Sequence, residues 1–250
     1  MTKFLRSPLF LPVGTLLMGI LGAILRLWLQ SANTESGHFS NEHIANWLLF
    51  ALVIVVFVLL VIGTWNLIEA NKYSFNYPAS LLRCIGCGAG ALAFAVFNFQ
   101  NLLAGGDLLA TIAAVLGLLS AAALGFIAFC RLQGKHPNFL LHCLIIVHLL
   151  LQLICYYRMW SGEPQTQAYV FPLLSSVFLM LSVYHSAMFD GNFGNRRAHT
   201  LLHLMTVFLC CICCVCGYRP LMFLCFGFWM LTDLCNLTPM PSSYRKEHKA

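Results

Sequence analysis

Eight stretches of about 20 mostly apolar residues, each separated from the next by a short polar or Gly/Pro break, constrain this chain more than any motif in it. They run 9–30, 44–69, 80–103, 107–130, 138–160, 169–189, 198–217 and 219–237. A bilayer core about 30 Å thick takes roughly 20 residues of helix, because backbone groups without partners cannot be left in hydrocarbon. Composition agrees: 60% of residues are hydrophobic, 9% are charged and the mean hydropathy is +0.82, where a soluble domain carries about a quarter charged residues. The expected fold is an all-α integral membrane protein with eight transmembrane helices arranged as four up-down hairpins. One helical domain covers 1–240, and 241–250 form a short basic cytoplasmic tail.

The breaks carry turn chemistry. Gly105, Gly106 and Asp107 close one hairpin, and Gly217 with Pro220 stops the seventh span before the eighth. The first apolar run follows Lys3 and Arg6 like a secretion signal, but it is too long and no small-residue cleavage site follows, so it reads as the first span. Orientation is testable from the 14 basic residues. With eight crossings, Lys3, Arg6, Lys72, Arg83, Arg131, Lys135, Arg196, Arg197, Arg245, Lys246 and Lys249 share the side of the termini, and Arg26, Arg158 and Arg219 take the other. That bias predicts cytoplasmic termini. Trp28, Trp47 and Trp160 then fall near the outer interface, where amphipathic rings anchor.

Several function classes drop out. The net charge of +6 is scattered in ones and twos and forms no basic stripe, which argues against nucleic acid as a partner. No phosphate-cradling Gly loop or complete nucleophile and base set is visible. The 12 cysteines avoid the outer loops, so a disulfide framework is not expected. CCICCVC at 210–216 and Cys84-x-x-Cys87 have the spacing of soft-metal ligands, and equally of small apolar fillers. Ala113, Gly117, Ala121 and Gly125 on the fourth span and Gly86 with Gly90 on the third make small faces for close helix packing.

Polar residues inside spans are costly unless paired or wet, so they carry the site candidates. Alternating spans bring His185 and Asp190, His199 and His203, Asp233, and Glu69 to the same cytoplasmic side. His199 and His203 stand at i and i+4, on a face that continues through Thr206 and Cys210, and make a candidate metal pair, with zinc the ion considered. The group could instead relay protons coupled to a solute, or the stretch FDGNFGNRRAHTLLH could be only a hydrated hinge. In that case Asp190 and Gly191 turn the chain, Asn195 caps the next helix, and Arg196 and Arg197 meet headgroups. His142 and His148, six apart, read as hydrogen-bonded core residues. At the outer face Arg26, Arg158 and Arg219 are candidates for an anion or lipid headgroup, or for pairing with Glu35, Glu42, Glu163 or Asp107.

Two resemblances follow from these residues. Ser182, His185, Asp190 or Asp233, His199 and His203 resemble, in residue types, the Ser, Asp and three His of the alkaline ceramidase and progestin/adiponectin-receptor superfamily of zinc membrane hydrolases. Here the set is crowded into the last spans with Ser-x-x-His in place of that superfamily's spacing, so both spacing and order depart from it. Arg158, Trp160, Glu163, Pro164, Gln165, Tyr184, His185, Gly194, Arg196 and Arg197 resemble a pattern in uncharacterised polytopic membrane proteins of clostridial-type bacteria. That likeness implies the bacterial inner membrane and no activity. The leading expectation is binding or transport of a small solute or ion. A zinc-dependent intramembrane hydrolase and a non-catalytic membrane subunit, with a membrane-protein partner or a second copy of the chain, are the alternatives.

Overall fold

A computed structural model describes residues 10–32, 44–65, 67, 77–161, 166–215 and 219–237. The described residues contain eight helices and no strand: α1 (Phe10–Ala32), α2 (Ile44–Trp65), α3 (Leu81–Ala104), α4 (Leu108–Leu132), α5 (Phe139–Trp160), α6 (Thr166–Asp190), α7 (Arg196–Cys213) and α8 (Pro220–Cys235). Their starts follow the local chemistry. Side-chain oxygens of Ser80, Asp107, Asn138 and Asn195 accept backbone N–H groups in the first turns of α3, α4, α5 and α7, satisfying donors that have no partner within the helix.

Six of the helices, α1 to α6, are long and apolar enough to cross a membrane. The last two depart from the eight-span expectation. α7 has 18 residues and opens on Arg196, Arg197, His199 and His203, which dilute its apolar character, and α8 has only 16 residues. Apolar side chains are bare on the outer pair: Leu17, Ile20 and Ile24 of α1 and Ile54 and Ile62 of α2 are each more than half exposed, a density of bare apolar surface foreign to water-soluble monomers.

The packing order goes beyond hairpins. Each helix from α3 to α8 packs on the next, and α3 also packs on α8, so these six close into a ring. The α1–α2 hairpin lies outside it, against α7. Phe94 of α3, Phe226 and Trp229 of α8 and Leu124 of α4 belong to one buried cluster, with the Phe94 and Phe226 rings 4.8 Å apart. α7 is covered on several sides, by α1, α2, α6 and α8, and Leu204 through Cys210 are all buried.

Ring closure depends on small residues. A Cβ built on Gly86 would lie 1.7 Å from Thr232 Oγ1, and one on Gly117 would lie 2.1 Å from the Asn98 side chain. Gly86, Gly90 and Gly117 therefore sit at helix contacts and Ala113 and Ala121 are buried, whereas Gly125 is exposed with nothing near it and does not extend the packing face. Gly86→Val should force α3 away from α8. Overpacking of this kind costs about 1–3 kcal/mol, and the expected result is a lowered thermal midpoint in detergent, with Asp233, the neighbour of Thr232, carried away from α3.

Candidate metal centre

The cap at Asn195 sets the register of α7 and puts His199 and His203 one turn apart on the face toward the end of α8. The α3–α8 contact at Gly86 and Thr232 brings Arg83 beside Asp233, where the guanidinium Nε donates to Oδ1. The other carboxylate oxygen, Oδ2, lies 3.4 Å from His199 Nε2 and 3.3 Å from His203 Nε2. Tyr77, from the segment entering α3, places its hydroxyl against His199 Nε2 and 3.5 Å from Oδ2. Ser186 of α6 closes the group, 3.3 Å from His203 Nε2. His199 and His203 are 0% exposed and Asp233 is 3% exposed, so water does not screen the charges.

The tautomer of His203 decides what this group can do. Its Nδ1 lies 2.9 Å from the His199 carbonyl oxygen, and a carbonyl only accepts, so Nδ1 carries a proton and Nε2 is the ring atom turned toward Asp233 Oδ2 and the Ser186 hydroxyl. Nε2 and Oδ2, 3.3 Å apart, can share either a proton, as in an ordinary hydrogen bond, or a metal ion. A tetrahedral ion with bonds of about 2.0–2.1 Å has edges of about 3.3 Å between its ligands. The His–Asp separations of 3.3 and 3.4 Å match that edge. Among the described residues His199, His203 and Asp233 are the one group of three such ligands, with donor atoms all within 4.8 Å of one another. Two imidazoles and a carboxylate are the donor set of a catalytic zinc-type site, and the Tyr77 and Ser186 hydroxyls border it, each against one histidine Nε2.

A second buried triad flanks the first. Arg131, in the last turn of α4, holds Asp190 with both terminal nitrogens, at 2.8 and 2.9 Å, and His142 Nε2 lies 3.3 Å from Asp190 Oδ2. This joins the ends of α4, α5 and α6. Tyr77 stands between the triads, with the Arg83 guanidinium 3.6 Å and the Arg131 guanidinium 6.0 Å from its ring centroid.

The sequence candidates therefore separate. His199, His203 and Asp233 converge, and Asp190 belongs to the Arg131 triad. His185 packs edge-on to Tyr184 and is not one of the converging ligands. Glu69, like Glu35, Glu42 and Glu163, lies outside the described residues. Arg83, Arg131 and Tyr77 are not among the site candidates that the sequence offers. Both arginines read from the sequence only as inward-side charges, although Arg83, in the first turn of the third span, is a usable signal. The cysteine pairs make no metal group among the described residues: Cys210 meets Ser175 at 3.3 Å, and Cys211 abuts Gly19.

A seam of hydroxyls leads away from the centre between α6 and α7. After Ser186 and His203 come Ser182 with Thr206 at 2.9 Å and Ser175 with Cys210 at 3.3 Å. At the opposite end of the ring, the C-terminal half of α5, the α3–α4 turn and Arg219 surround a cavity of about 440 Å³. Arg158 and Arg219 line it, with Arg158 paired to Asp107 at 3.0 Å and Arg219 donating to Asn101 Oδ1 at 2.8 Å. Arg26 is elsewhere, buried on α1 with its guanidinium 5.5 Å from the centre of the Phe171 ring. No family model matches the chain, and no curated protein or solved structure does either.

Proposed function

We propose that this multi-pass membrane protein is built on a divalent-metal centre of His199, His203 and Asp233 and acts as a metal-dependent hydrolase at the membrane. The observation that carries the reading is the pair of His–Asp edges at tetrahedral spacing, with the Nε2 atoms of His199 and His203 both turned to one carboxylate oxygen. His199, His203 and Asp233 would hold a zinc-type ion, which would supply an acidified water and polarise a carbonyl or phosphoryl oxygen. The chain's own residues do the rest. Arg83 occupies Oδ1 of Asp233 and so turns Oδ2 toward the histidines. The His199 carbonyl holds the proton on His203 Nδ1, and the Tyr77 and Ser186 hydroxyls lie against the Nε2 atoms of His199 and His203, where they would be near a substrate oxygen brought to the centre. Protein purified in mild detergent should carry one metal ion per chain by mass spectrometry, and His203→Gln should lose it while keeping its helical circular dichroism. Folded wild-type protein that neither carries nor takes up zinc, iron, cobalt or manganese would sink this reading.

The same reading includes eight crossings with both termini on the cytoplasmic side. α7 need not be apolar all round, since protein rather than lipid surrounds much of it. The placement of Arg83, Arg131, Arg196 and Arg197 at one end of the ring and Arg158 and Arg219 at the other supports that orientation. Reporter fusions at residue 195 and at the carboxyl terminus should report the same compartment, and opposite compartments would exclude it.

The hydroxyl seam favours a second reading, passage of the bound ion or of protons along the α6–α7 interface. Ser182→Ala combined with Thr206→Val would then slow zinc or proton flux in proteoliposomes while the metal content stays at one. Unchanged flux, or none in the wild type, leaves hydrolysis as the reading.

A further inference from the structure

The cavity at the other end of the ring is distinct from the metal centre. Arg83, at the centre, and Asn98, at the cavity, are 15 residues apart on α3, which is about 22 Å along a helix. About 440 Å³ exceeds what a single ion or water needs and falls within the range of small-molecule sites. Its walls are sorted by depth. The mouth carries Arg158, Arg219 and Asp107. The inner wall carries Asn98, His148, Gln152 and Tyr156, each no more than 8% exposed.

Buried polar groups such as these are expensive in a bilayer unless they have partners, and here they partly serve one another. Asn98 Nδ2 donates to the Phe94 carbonyl at 2.8 Å and lies 3.4 Å from His148 Nε2, and Gln152 donates to the Tyr156 hydroxyl at 2.6 Å. Four such side chains around one hollow make a hydrogen-bonding wall that helix packing alone does not call for. At the mouth, two guanidiniums face one carboxylate. Asp107 stays ionised because the Ala110 N–H, and then Arg158, hold its carboxyl below the ordinary range. The mouth therefore carries one net positive charge. Arg219 is also held in the left-handed region, at φ 55° and ψ 54°, directly before Pro220. For a residue with a side chain this is uncommon and costs about 1 kcal/mol or more. That backbone lays its guanidinium over Phe97, 3.4 Å from the ring centroid, and points it to Asn101 on the cavity wall.

We propose that this cavity binds a small hydroxylated organic monoanion, with its carboxylate at Arg158 and Arg219 and its hydroxyls against Asn98, Gln152 and Tyr156. A single negative charge matches the net charge of the mouth, and a guanidinium suits a carboxylate in two-point contact. A long acyl chain does not suit the amide-lined inner wall.

The test is calorimetric titration of the full-length protein in phosphatidylcholine nanodiscs with gluconate, with its uncharged analogue sorbitol, and with oleate. Gluconate should bind, sorbitol should bind at least about tenfold more weakly, as loss of a charged hydrogen bond implies, and oleate should not compete. Arg219→Gln should weaken gluconate about tenfold or more. Arg158→Gln, at a side chain 60% exposed and so safe for folding, should weaken it in the same direction. His203→Gln should leave it unchanged, which separates this site from the metal centre. No gluconate binding at millimolar concentration, equal binding of sorbitol, displacement by oleate, or affinity indifferent to both arginine variants would each overturn the proposal.

Discussion

Asp233→Asn should empty the metal centre and destabilise the bundle in one substitution. The amide keeps the shape of the side chain but removes the charge that Oδ2 offers the histidines and that Oδ1 offers Arg83. Arg83 is 1% exposed, so its guanidinium would be left uncompensated in the interior. Removing one partner of a buried pair typically costs about 3–5 kcal/mol, a large share of the stability of a domain. The expected result is metal content falling from one per chain to near zero together with a clearly lower thermal midpoint. Replacing both partners, Arg83→Met with Asp233→Leu, separates the two effects. With no orphaned charge, much of the stability should return while the metal stays absent. Asp233→Asn that retains full metal would remove Asp233 from the ligand set.

Asp190→Asn should give the complementary result, a large loss of stability with the metal retained. Arg131 holds Asp190 through two hydrogen bonds and both side chains are buried, so the cost should again be about 3–5 kcal/mol. His142 faces the same carboxylate and would keep only an amide partner. The measurement is thermal unfolding and metal analysis on one preparation. Loss of metal without loss of stability would reverse the roles assigned to the two triads.

The residues of the metal centre were unevenly legible. His199 and His203 announce themselves by i, i+4 spacing near the start of an apolar helix, and Asp233 by being an acid inside one. Asp190 met the same criteria equally well, yet it serves a different triad, because the C-terminus of α6 ends beside Arg131. Tyr77 had no periodic signal, since it lies in the short segment before α3. His148 looked like an ordinary core histidine and lines a cavity, which only its neighbours on α3 and α4 reveal.

What the chain determines by itself is depth. Runs of apolar residues must satisfy their backbone bonds in helix, so the order of breaks and apolar runs places each polar side chain at a height along its helix. Which side chains meet at a given level was decided only by the tertiary structure. Lateral neighbours depend on how helices close on one another, and here the closure of α3 on α8 rests on Gly86 admitting Thr232. Hydropathy is blind to that step, because lipid and a neighbouring helix are nearly equal as apolar surroundings, and the choice between them falls to side-chain shape and buried charge.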